Sequence, residues 1–166
     1  LRELGVKFGR YHVFLFRLIK PEAVSLRSLL WKNYNQKYLN LKPPTFGLNF
    51  LEDNGSKNKN FMLLCGFEKF DNFYVRIDIL ERLFVQIINF YSKKEKEIKL
   101  IPEMLNLLGC SKESFKKLIK SMGYNVTEKD NEIFFKYKPQ KIKKKIFKKH
   151  SKKESPFGIL KNLNFN

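Results

Sequence analysis

From residue 77 the apolar positions fall on one helical face without a gap: Ile79, Leu80, Leu83, Phe84, Ile87, Ile88 and Tyr91. Asp78 and Glu81 have the spacing of a capping box at the start of that helix. A charged turn then leads to a short strand over 98–101. Pro102 opens a second helix through 104–108, and Gly109 closes it. Ser111 caps a third helix over 111–122, whose buried stripe is Phe115, Leu118, Ile119 and Met122, and Gly123 stops it. Residues 124–127 and 132–138 follow as two strands around Lys129-Asp130-Asn131.

That order of elements, with Gly109 at the corner between two helices, predicts a winged helix-turn-helix over 77–138. The pattern before it is less regular. Residues 6–19 are rich in aromatic and β-favouring types with Gly9 as a turn, which reads as one or two short strands. Pro21-Glu22 suits a helix first turn, and Leu26, Leu29, Leu30 and Tyr34 recur at helical spacing to about Gln36, with Trp31 beside them as a packing residue. Residues 37–60 lose periodicity and read as loop, the stretch 48–60 as a linker. Residues 61–67 and 73–76 read as a β-hairpin turning at Asp71-Asn72. The expected architecture is α+β: residues 1–47 as the end of a helical region, 61–138 as hairpin plus winged helix, 139–154 as a basic disordered tail, and 155–166 as a short amphipathic motif.

Charge turns this fold toward a class of partner. The chain of 166 residues has 34 Lys plus Arg against 16 Asp plus Glu, a formal net charge of +18, which repels itself unless a polyanion is near. An A/T-rich coding sequence accounts for Lys in place of Arg, but not for the concentration of ten Lys and no acid in 133–153. On the third helix Lys112, Lys116, Lys117 and Lys120 occupy the solvent side. Lys129, Lys136 and Lys138 extend the track along the wing, and Lys143, Lys144, Lys145, Lys148 and Lys149 continue it into the tail. Lysine without Arg, Asn or Gln on that helix points to phosphate contact and not to base reading. A solvated helix face and a solubilising linker are the plainer explanations of the same residues. Phe157, Leu160 and Leu163 behind Ser155-Pro156 form an amphipathic stripe fit for a partner groove, or a frayed end.

Catalytic and metal-binding patterns are missing from the sequence. It contains no Gly-Lys-Ser/Thr phosphate loop, no metal-ligand spacing of Cys and His, and no Ser/His/Asp arrangement. Cys65 and Cys110 read as reduced core residues, and His12 and His150 as ordinary core or surface residues. No apolar run reaches membrane-spanning length and no signal-peptide pattern is seen, so a cytoplasmic setting is expected. The chain starts at Leu1, inside what reads as a helix end, and an upstream portion is expected.

Several stretches carry a resemblance: Leu4-Gly5-Val6-Lys7-Phe8-Gly9-Arg10, Leu18-Ile19-Lys20-Pro21, Leu30-Trp31, Val75-Arg76-Ile77-Asp78-Ile79-Leu80-Glu81-Arg82-Leu83, Leu108-Gly109-Cys110-Ser111 and Ser155-Pro156-Phe157. In this order they resemble the C-terminal region of superfamily 2 ATP-dependent helicases of alphaproteobacteria, relatives of the mitochondrial degradosome RNA helicase. The resemblance implies a non-catalytic accessory region that holds RNA or DNA with low sequence specificity. It also implies an upstream helicase core of the same chain that would use ATP and Mg; no cofactor is expected in the segment itself. The lysine-rich third helix and all-basic tail depart from the family pattern. The alternative is a protein-docking module that braces the helicase core and recruits a partner through the C-terminal motif.

Overall fold

The computed structural model describes residues 1–92, 97–129 and 132–137. Strands β1 (Val6–Phe8) and β2 (Val13–Leu15) pair antiparallel, and a 3-10 turn, Phe16–Ile19, leads into α1 (Pro21–Tyr34). Proline at the first position of α1 fixes a helical φ where no amide donor is needed.

The side of α1 that packs is not the leucine stripe. Leu26, Leu29, Leu30 and Tyr34 are 58, 65, 60 and 90% exposed, whereas Val24 and Ser28 are buried and Trp31 packs beside them. The smaller side chains win because they let α2 (Lys59–Leu64) approach closely: Ser28 Oγ lies 3.8 Å from Cys65 Sγ. Val24 shares a cluster with Phe61, Met62, Cys65, Phe67 and Tyr74, and Trp31 stacks on Tyr38 and tilts against Phe61.

Helix α2 replaces the first arm expected of the 61–67 hairpin. Asn58 caps it, its side chain accepting from the Phe61 amide at 3.0 Å, and Phe61, Met62 and Cys65 are buried at a helical interval. The hairpin is shorter: β4 (Phe67–Phe70) and β5 (Phe73–Arg76), joined at Asp71-Asn72. On the other side of β5 lies β3 (Phe50–Glu52), giving the order β3-β5-β4. The stretch read as a 48–60 linker is therefore partly built into a sheet, because Phe50 packs against Phe73 and the core while Leu51 joins the α1–α2 cluster.

Helix α3 (Ile77–Ser92) follows β5 directly, and Ile79, Leu80, Leu83, Phe84 and Ile87 are buried as the periodicity predicts. Ile88 is half-buried, and the Tyr91 side chain lies outside the described set. After β6 (Ile98–Lys99) come α4 (Pro102–Leu108), α5 (Lys112–Ser121), β7 (Tyr124–Lys129) and β8 (Glu132–Tyr137). Gly109 ends α4 at φ 70°, a left-handed conformation that a side chain would strain. The Ser111 side chain accepts from the Ser114 amide to start α5. The second three-stranded sheet has the order β6-β8-β7. Leu83, Ile98, Met104, Leu108, Phe115, Leu118, Ile119 and Phe135 make one core between it, the three helices and β5. The molecule is thus a mixed α+β fold with small antiparallel sheets.

The capping-box expectation for Asp78 and Glu81 is replaced by two other partnerships. Asp78 is gripped by the Arg76 guanidinium, Nε donating at 2.6 Å and Nη2 at 3.0 Å. The Glu81 carboxylate turns away from its own helix to the β1–β2 turn, accepting from the amides of Arg10, Tyr11 and His12 at 2.5, 3.0 and 2.9 Å and hydrogen-bonding to His12 Nδ1 at 2.8 Å. Tight-turn amides need acceptors, and Glu81 supplies them from inside the fold. Gly9 makes room for it, since a Cβ there would overlap the carboxylate.

Candidate nucleic-acid interface

The surface of α5 is basic, but its lysines are not equivalent. Lys112 and Lys120 are exposed. Lys116, between them, forms an ion pair with Glu128 of β7, which holds the Glu128 carboxyl below its ordinary value. Lys117 lines a concavity with Glu52, Asp53 and Asp71, and Ser114 Oγ donates to Glu52 Oε1 at 3.3 Å. The first turns of α5 therefore adjoin carboxylates from β3 and the β4–β5 turn, an arrangement unfavourable for inserting that end into a groove of a polyanion. On β7 and β8, Lys129 Nζ pairs with Glu97 at 2.9 Å and lies 5.7 Å from the Phe134 ring centroid, while Lys136 is exposed. Such surface pairs are weak and exchangeable. Lys138, Lys143, Lys144, Lys145, Lys148 and Lys149, with Phe157, Leu160 and Leu163, lie outside the described residues.

A second basic surface escaped the sequence reading. The turn clamped by Glu81 presents Arg10 and Tyr11, and the Tyr11 ring lies 4.4 Å from Phe84 of α3, tilted by 55°. Opposite, Tyr124 at the start of β7 and Tyr137 at the end of β8 are cross-strand partners with ring centroids 5.3 Å apart. Between them is a cleft of about 610 Å³, bordered by Arg10 and Lys136 and floored by Phe84, Ile87 and Ile88. A neighbouring recess of about 310 Å³ shares Tyr11, Phe84, Tyr124 and Tyr137 and adds His12 and Glu68. Tyr11 and Tyr137 are 63 and 47% exposed, so part of each aromatic side chain is accessible where Arg10 and Lys136 line the cleft. The sequence signal was the interleaving of base and aromatic in Arg10-Tyr11-His12 and Lys136-Tyr137; what brings the two segments together is tertiary.

Burial raises both thiols, Cys110 to about 11, and Cys65 is also raised by burial despite its Ser28 neighbour. Neither is poised as a nucleophile at neutral pH. Among the described residues no group of three or more His, Cys, Asp or Glu is placed to hold a metal ion, and no helix is long and apolar enough to cross a membrane. Comparison of the chain with protein-family models, with curated proteins and with solved structures found no match.

Proposed function

We propose that this chain is a non-catalytic accessory region of an ATP-dependent RNA or DNA helicase, with residues 77–138 acting as a winged helix that contacts the nucleic-acid backbone. The succession α3, β6, α4, α5, β7, β8 and the strand order β6-β8-β7 support the fold part of this reading. The observation that carries the contact is the set of exposed cations Lys112, Lys120 and Lys136 on a chain of net charge +18. Because the solvent side of α5 presents lysine and no Arg, Asn or Gln, contact is to phosphates and carries little sequence preference. The motor, with its ATP and Mg, belongs to an upstream helicase core, and the setting is cytoplasmic.

The test is fluorescence-anisotropy titration of the chain with labelled duplex and single-stranded oligonucleotides across a salt series. Affinity should fall steeply as salt rises. The triple variant K112Q/K120Q/K136Q should flatten the log–log slope by about 0.9 per lost duplex phosphate contact. No binding at low ionic strength overturns the reading.

A second reading, a protein-docking module that braces the helicase core, draws support from the outward face of α1, where Leu26, Leu29, Leu30 and Tyr34 are exposed. In that reading Phe157, Leu160 and Leu163 recruit a further partner. Deleting 155–166 separates the two roles: nucleic-acid affinity is retained while partner recruitment is lost.

A further inference from the structure

Resting on the nucleic-acid reading above, we propose that the cleft between the Arg10-Tyr11 turn and the paired Tyr124 and Tyr137 holds an unpaired base of a single strand, separately from the phosphate-contacting face of α5. The base would stack on the exposed Tyr11 and Tyr137 rings, and the phosphates flanking it would meet Arg10 and Lys136.

Three observations converge on that occupant. The opening of about 610 Å³ has the size of a small-molecule site and is bordered by aromatic faces. Every base offers a π-face, so such a platform accepts a strand without reading its sequence. Both cations that line the cleft are exposed, and they come from two separate elements, Arg10 from the β1–β2 turn and Lys136 from β8, so a backbone entering the cleft can meet either. The acid Glu68 borders the adjoining recess instead, which sets the phosphate path on the Arg10–Lys136 side.

The turn is also held in place before any ligand arrives. Glu81 fixes the Arg10, Tyr11 and His12 amides, and Tyr11 leans on Phe84, so the platform needs little ordering on binding. A duplex keeps its base faces stacked inside the helix and cannot use such a site. The cleft therefore gives the molecule a preference for unpaired nucleic acid that lysines alone would not supply.

The experiment compares the full chain with its Y11A, Y137A, Y11F and Y137F variants. Each is titrated with labelled oligo(U), oligo(dT) and a duplex of equal length, the two single strands distinguishing RNA from DNA as the source of the base. Each alanine variant should lose about 5- to 150-fold in single-strand affinity with duplex affinity unchanged, while the phenylalanine variants, which keep the ring, stay near wild type. Photocrosslinking a 5-iodouracil oligonucleotide to the wild-type chain should place adducts on Tyr11 or Tyr137. Alanine variants that retain single-strand affinity, or lose single-strand and duplex affinity alike, overturn the cleft proposal while leaving backbone contact standing. A wild-type chain that binds no oligonucleotide at low salt overturns both.

Discussion

Glu81 is the residue on which the candidate cleft depends, because one carboxylate serves three turn amides and the His12 ring. Burial alone would raise its pKa, but His12 and the amides of Tyr11, Arg10 and His12 outweigh that and hold it below the ordinary 4.5. Its folded pKa is depressed, so its contribution to stability is present in full above about pH 4.5 and fades as pH falls through the lower folded value. Glu81→Gln should lower unfolding free energy by about 1–3 kcal/mol at pH 7. In urea titrations run from pH 7 to pH 3, the gap between variant and wild type should narrow in acid; a constant gap would contradict this account. Gly9→Ala should destabilise as well, since its methyl group meets the same carboxylate. For the Cys110 thiol, pushed up to about 11, alkylation at pH 8 should be slow in the folded chain and accelerate once urea exposes it.

Among the elements, the contrast between α1 and α3 makes a sharp prediction. Leu83→Ala, in the core, should cost about 2–5 kcal/mol, whereas Leu29→Lys and Leu30→Glu on the open face of α1 should shift stability by about 0.5 kcal/mol or less, as thermal unfolding would register. Gly109→Ala should cost about 1–2 kcal/mol through its left-handed backbone. The same contrast explains what was legible in the sequence. The elements from α3 to β8 follow from local signals: an unbroken apolar stripe, Pro102 and Ser111 at helix starts, Gly109 at a helix end. The face of α1 was misread because the packed side carries Val24 and Ser28, and hydrophobic spacing cannot announce that a serine is wanted for close approach. The strand expected at 61–67 became α2 because Asn58 caps the segment and Met62, Leu63 and Leu64 are themselves good helix formers. Of the candidate contacts, exposed Lys112, Lys120 and Lys136 could be anticipated from their positions. The pairing of Lys116 with Glu128 and of Lys129 with Glu97, and the entire aromatic cleft, depend on neighbours distant in sequence.

For the molecule as a whole, the uneven charge predicts how binding responds to its surroundings. With several cations already paired to carboxylates, the fitted number of released counterions should be well below the count of lysines, and a duplex titration at 50–200 mM salt measures it directly. The Glu81 clamp also has a consequence for how the chain acquires its shape. It closes a loop of about 70 residues, and for that length the chain-length part of the closure entropy is about 4 kcal/mol. So the N-terminal hairpin should dock last, onto an α3 already formed, and Glu81→Gln should speed unfolding while leaving the folding rate nearly unchanged. The hairpin would also be the first piece to detach. Amide exchange at Tyr11 and His12 should then run faster than at Leu80 and Leu83, and the cleft would open and close with a lifetime of its own, set by one carboxylate.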